Sequence, residues 1–288
     1  MKMIKKSKKG ILFTITTIFL LSAVFMLSKT YFEYNKDSRN TVTFSSFGDK
    51  LNFVEDDIVS NIYSDLLWLN ISSITRQNNE VIINFLKAGK LSPNINHNNL
   101  FQNYETFIEG TYATLQNLNI TFNNFNPTFN INPYNTRFVY DSQELSIYND
   151  RDYLKKILIK IKANATNLVS NTTPSTDGHD YPEINVIILN KNNVIVYDAN
   201  PQQDPDEMGI FEIVFEDGKQ VTVSFGVIGE SPSGTLIVDN NFYTEITQLE
   251  LRYDEIDDKL LFESDANLSI TSQLEDITKA TEIILLEE

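Results

Sequence analysis

Residues 211–225, FEIVFEDGKQVTVSF, set two runs rich in β-branched and aromatic side chains on either side of Glu216-Asp217-Gly218-Lys219. In the second run Val221, Val223 and Phe225 share one face of an extended chain and Thr222 and Ser224 the other. Asp-Gly supplies the positive φ that a tight hairpin turn needs. The stretch predicts a hairpin in a sheet covered on one side. The same pattern extends outward. Residues 184–189 and 194–197 flank Asn190-Lys191-Asn192-Asn193, a second hairpin signal, and 235–238, 246–253, 259–262, 267–270 and 282–286 continue the series between turns. Upstream, 120–122, 129–131 and 137–140 are short β-compatible pieces among Asn and Pro, while 154–161 (LKKILIKI) is ambiguous. Residues 166–182, rich in Ser, Thr, Asn and Pro, read as a linker.

Before the strands the period changes. Leu51, Val54, Ile58, Ile62, Leu66 and Leu69 recur at steps of three and four, with polar residues between them, which predicts an amphipathic helix. Phe101, Tyr104, Phe107, Ile108, Tyr112 and Leu115 repeat the pattern over about residues 100–118, with Gly110 weakening the middle, and residues 92–99 read as loop. Residues 35–50 hold Thr41-Val42-Thr43-Phe44 and Gly48, poor helix formers, so continuity with whatever precedes residue 51 is open.

What precedes is apolar. Residues 11–27, ILFTITTIFLLSAVFML, are seventeen residues without a charge, following Lys2, Lys5, Lys6, Lys8 and Lys9. As a helix they measure about 25 Å, near the lower limit for crossing the hydrocarbon. The run ends in Met26-Leu27-Ser28-Lys29, a poor signal-peptidase site, so a retained anchor is expected. Tyr31, Phe32 and Tyr34 follow where an interfacial aromatic belt belongs. The formal charge of the 288 residues is −16, but residues 1–29 carry six lysines and no acid, leaving 17 basic against 39 acidic side chains, −22, in the rest. By the positive-inside rule the N-terminus is cytoplasmic and the bulk of the chain extracellular.

The N-terminus resembles the class III leader of type IV pilins and related archaeal surface proteins, on Lys8-Lys9-Gly10 followed by the apolar run from Ile11. The resemblance implies that a dedicated peptidase cuts between Gly10 and Ile11 and that the helix beyond becomes the packed core of a filament. It covers residues 1–30, or to about residue 70 with the following helix. Bacterial pilins carry Glu at the fifth residue after the cut, where this chain has Ile15; archaeal relatives often lack that acid.

The expected architecture is α+β: an N-terminal transmembrane helix, a helical stalk-like segment and an antiparallel β-rich, sandwich-like exterior domain. In residue numbers this gives a basic leader at 1–10, the transmembrane helix at 11–28, a helical segment with loop at 29–118, a mixed β region at 119–165, the linker at 166–182 and the β-rich domain at 183–288.

Catalytic chemistry finds little support. A surface so negative repels phosphate, which excludes nucleic acid as a partner, and the absence of Cys removes thiol nucleophiles, disulfides and thiolate metal sites. His97 and His179 are in no paired-ligand spacing, and no Walker loop, Gly-x-Ser-x-Gly or dinucleotide glycine fingerprint occurs. The chain does not read as an enzyme; an anchored hydrolase would need converging carboxylates that a sequence does not reveal. The candidate metal site is the loop carrying Asp198, Asp204, Asp206 and Glu207, whose oxygens suit calcium, against the plain reading of a solvated acidic loop. Asp177-Gly178-His179-Asp180 is a weaker copy of the same idea. N-glycosylation sequons stand at Asn70, Asn119, Asn164, Asn171 and Asn267, about as many as chance placement gives in an Asn-rich chain.

The expected function is that of a single-pass, membrane-anchored cell-surface structural protein, a pilin-like filament subunit or adhesion component. Its expected partners are the membrane, copies of itself and other surface proteins. The alternative is a ligand-binding or sensory ectodomain on a permanent signal anchor.

Overall fold

The computed structural model describes residues 8–149, 152–175, 182–228, 231, 233–272 and 277–287, with side chains from Leu20 onward except those of 37–44 and 287. The chain forms two units, Met1–Glu55 and Asp56–Glu288. Helix α1 (Lys8–Asn61) is continuous over 54 residues. The poor helix formers at 41–44 and Gly48 do not interrupt it. Each costs less than about 1 kcal/mol, and a helix already nucleated gains one hydrogen bond per residue added.

In the second unit Ile58, Ile62 and Leu66 are buried as their spacing predicts. The helix nevertheless stops short of Leu69. A π-helical turn, Ile62–Leu66, ends it, Trp68 adopts a φ of 49°, and Leu69 opens a strand. That strand, β1 (Leu69–Gln77), turns through Asn78 and Asn79, both at positive φ, into β2 (Glu80–Leu91). Then come α2 (His97–Thr106), a π-helical turn Phe107–Tyr112 around the weak position Gly110, and α3 (Ala113–Gln116). The Tyr104 hydroxyl donates to the Ile58 carbonyl at 3.2 Å and the Tyr112 hydroxyl to the Asp57 carboxylate at 2.8 Å.

The remaining chain is β. In order it makes β3 (Leu118–Asn123), β4 (Thr128–Asn132), β5 (Thr136–Tyr140), β6 (Glu144–Tyr148), β7 (Leu154–Ala163) and β8 (Leu168–Thr172). After residues 176–181, which lie outside the described residues, follow β9 (Glu183–Leu189), β10 (Ile195–Ala199), β11 (Gly209–Phe215) and β12 (Gln220–Gly226). The series closes with β13 (Thr235–Asn240), β14 (Thr244–Asp254), β15 (Leu261–Ser272) and β16 (Thr278–Glu287). The ambiguous 154–161 lies in strand β7, and of the two expected pieces 259–262 and 267–270, residues 261–262 and 267–270 belong to one long strand, β15.

Two sheets result. One runs β1-β2-β14-β7-β9-β10; the other runs β16-β15-β4-β5-β6-β13-β12-β11-β8, with β3 on β15 beyond the end of β4. All pairs are antiparallel except β7 with β9. The expected linker 166–182 contains β8, and strands on its two sides pair with each other, β7 with β9 and β14 with β2. The sheets meet on their apolar faces. Phe85 of β2 packs on Phe138 at 5.9 Å and Phe262 at 6.4 Å between ring centroids, and Phe129 stacks on Phe138 at 4.1 Å.

One polar cluster crosses this core. The Tyr253 hydroxyl donates to the Asn149 side-chain oxygen at 2.9 Å and lies 2.8 Å from the Thr136 hydroxyl. Thr136 also reaches that Asn149 oxygen at 3.2 Å, and the Asn149 amide donates to the Gly234 carbonyl at 3.1 Å. With all three residues buried, their hydrogen bonds cancel a desolvation cost that would otherwise oppose folding.

Candidate functional site

Helix α1 carries the first candidate. Leu20, Leu21, Val24, Phe25, Met26 and Leu27 are each 53–72% exposed. At 100° per residue these positions point in every direction around the helix, the pattern of a helix meant for an apolar surrounding on all sides. Tyr31, Phe32 and Tyr34 continue the exposed apolar surface. Lys29 and Glu33 pair across one turn at 3.8 Å, an exposed contact worth a few tenths of a kcal/mol. Among the described residues no helix is long and apolar enough to cross a membrane. The charge-free run begins at residue 11, just after Gly10, and its side chains up to residue 19, Ile11 included, lie outside the described residues. Their backbone is part of α1.

The acidic loop is built from the backbone outward. Asp198 is exposed on β10. The Asp204 carboxylate accepts from the Asp206 amide at 2.8 Å, an Asx turn, and the Asp204 carbonyl accepts from the Glu207 amide at 3.2 Å. Gly226, at φ +107°, lies against this turn; a Cβ there would come within 1.8 Å of the Glu207 carbonyl oxygen. Among the described residues no three His, Asp or Glu side chains group so as to hold a metal ion. Asp198, Asp204, Asp206 and Glu207 therefore make no cage, and the Asp204 carboxylate is already used to close a turn. The weaker candidates Asp177, Gly178, His179 and Asp180 lie outside the described residues. The five sequon asparagines, Asn70, Asn119, Asn164, Asn171 and Asn267, are all exposed.

Two features escape sequence reasoning. A groove of about 460 Å³ opens between the edge strands β1 and β16, lined by Tyr63, Asn70, Ile71, Ile74, Leu285 and Leu286 among others. The Tyr63 hydroxyl is buried there without a hydrogen-bond partner among the described residues, and burial pushes its pKa far up. Leu69, Ile71, Ile74, Leu285 and Leu286 give the groove apolar walls, and Tyr63, Asn70, Ser72 and Ser73 give it polar ones. Its residues come from three separated segments with no shared motif.

The second feature is His97, fully buried at the start of α2. Its ring sits 5.8 Å from Trp68 and 5.6 Å from Tyr140. Nε2 meets the Lys90 carbonyl at 3.3 Å, whereas Nδ1 has no hydrogen-bond partner among the described residues. Desolvation holds its pKa below the usual histidine value, against the smaller pull of the Lys90 carbonyl, the Asp141 charge and the Leu66 carbonyl. The lowered pKa keeps the ring neutral at pH 7. Beside it the Lys90 ammonium lies over Trp68, 5.0 Å from the ring centre. His97 is packed in the core against the Trp68 and Tyr140 rings.

Comparison of the chain with protein-family models, with curated proteins and with solved structures finds no match.

Proposed function

We propose that this chain is a single-pass, membrane-anchored surface protein of structural function, pilin-like, with a cytoplasmic N-terminus and a β-rich exterior domain. The observation that carries the reading is the ring of exposed apolar side chains from Leu20 to Leu27 on α1, contiguous with the charge-free residues from Ile11. Water is a poor surrounding for such a helix; lipid, or the helices of sister subunits, would cover it. The lysines at 2, 5, 6, 8 and 9 fix its direction by the positive-inside rule. The continuity of α1 through the poor helix formers at 41–44 supports a stalk-like role.

Gly10 and Ile11 flank the proposed cut, and the test is mass spectrometry of the protein from its native cells. A mature chain beginning at Ile11 is the expected result. A peptide reaching intact across Gly10 overturns the pilin-like reading and favours a ligand-binding ectodomain on a fixed anchor. The groove at Tyr63 gives that alternative a binding surface.

A further inference from the structure

The groove at Tyr63 follows the edge of a strand. Six consecutive residues of β1, from Leu69 to Ile74, line it together with the adjoining Leu285 and Leu286 of β16. Successive side chains of a strand point to opposite faces, so a groove that all six reach runs along the strand's free side. There the main-chain groups of β1 that face away from β2 meet no other strand among the described residues. The buried Tyr63 hydroxyl has no partner among them either. A second strand is the occupant such a wall accepts, because main-chain hydrogen bonds hold it and pockets for alternate side chains select it.

Strands β1 and β10 end the first sheet, β16 and β8 the second. β10 carries Asp198, and β16 carries Lys279, Glu282 and Glu287, charges of the kind that guard an edge against a foreign strand. β3, which pairs only with β15, is met on its free side by Glu109, whose carboxylate accepts from the Phe122 amide at 2.8 Å. β8 carries no charge. β1 carries only Arg76, and its guanidinium is turned aside, donating to the Ile256 and Asp258 carbonyls at 3.1 and 2.7 Å. The two unguarded edges differ in shape. Residues 169–172 of β8 are all exposed, so both faces of that strand stand clear. Val169, at 64%, is the most exposed large apolar side chain described on the four end strands. β1 offers a groove and β8 a projecting strand. Pairing β1 with β1 would set groove on groove, and pairing β8 with β8 would use neither.

We infer that strand β8 of one copy of this chain enters the groove of a second copy and pairs along its β1, laying Val169 on the apolar walls made by Ile71, Ile74, Leu285 and Leu286. β8 keeps its own pairing with β11 throughout, so each copy gives one strand edge and receives another. Such a contact joins two different surfaces; it does not close on itself, and repeating it gives an open row of β-rich units. The inference rests on these strand edges alone and is independent of the anchor and of leader cleavage.

The test uses the full chain in detergent and exploits its lack of Cys, so that an introduced thiol reports only its own contact. Asn70→Cys on β1 and Ser170→Cys on β8 both replace exposed residues. With a short bis-maleimide, the two variants mixed should give roughly ten times more cross-linked dimer than either variant alone. Salt near 1 M, where the screening length is about 3 Å, should leave that yield unchanged, because no ion pair makes the contact. Adding Val169→Glu to the Ser170→Cys protein should cut the yield roughly tenfold, since a carboxylate would enter the groove unpaired. An unchanged thermal midpoint is expected for a substitution at so exposed a residue and shows that the fold is kept. Asn70→Cys alone cross-linking as well as the mixture overturns the proposal and assigns the groove to a two-fold pairing of β1. A mixture that gives no cross-link, or a Val169→Glu protein that cross-links like its parent, overturns it too. So does a glycan found on Asn70 or Asn171 of the native protein, since both sequon residues stand on the paired edges.

Discussion

Phe25 on α1 is 72% exposed, while Phe85 on β2 is 0% exposed with Phe138 and Phe262 against its ring. The two residues are chemically identical, and the sequence around each is rich in apolar side chains. What separates them is the pattern. Around Phe85 the apolar Val81 and Ile83 share its covered face of the strand, and all three are fully buried. Around Phe25 they fall on every side of a helix, and no arrangement of a single helix can bury all of them by itself. An apolar pattern with one face specifies a fold within the chain, whereas an apolar pattern with no preferred face asks for a surrounding from outside it.

The contrast can be broken by truncation. Phe138→Ala removes a ring stacked on Phe129 and packed on Phe85, and should cost about 3–5 kcal/mol of stability. Phe25→Ala should change it by less than about 0.5 kcal/mol. Denaturant unfolding of the full chain in detergent reads both, and an equal loss for Phe25→Ala would make α1 part of the same core.

A titration sharpens it, because the β-rich unit holds a buried histidine. The folded-state pKa of His97 lies below its unfolded value of about 6.5. Its stabilising contribution is complete above that value and is lost as pH falls toward the folded pKa, with a slope of at most about 1.4 kcal/mol per pH unit. Between pH 7 and 5 the thermal midpoint should therefore drop, and the His97→Gln variant should drop less. Identical curves for the two proteins would remove His97 as the cause.

A small gain belongs to the helix. Gly48 has no atom within 4 Å of where a Cβ would stand, so nothing in packing requires glycine there. Gly48→Ala should raise helix stability by roughly 0.5–1 kcal/mol, seen as a later loss of helical circular dichroism on heating. A loss of stability instead would mean that this position of α1 has a neighbour to accommodate.

The hairpins around residues 190–193 and 216–218 were legible because turn chemistry is local: Asp217 and Gly218 take the positive φ that their identities promise. The hairpin of β1 and β2 was not, although Asn78-Asn79 is a turn signal of the same kind. β1 is an edge strand carrying Asn70, Ser72, Ser73, Thr75, Arg76 and Gln77, and it lacks the alternation that marks a half-buried strand. Strand β15 read as two pieces because it changes partner midway, from β4 to β3, with Ser264, Asp265 and Ala266 between the apolar runs. The groove at Tyr63 draws on segments far apart in the chain. Pairing of that range leaves no trace in a local pattern. The carboxylates between residues 198 and 207 were visible, but their use was not, since an Asx turn and a metal ligand begin from the same residue types.

The cluster of Thr136, Asn149 and Tyr253 behaves like a dowel between two boards. Apolar faces adhere in many relative positions, and sliding one sheet over the other by a residue would leave Phe85 still among aromatic rings. It would also pull the Tyr253 hydroxyl away from Asn149 and Thr136 and strand three polar groups in a dry interior. The hydrophobic contact makes the two sheets stick, and these few hydrogen bonds determine where.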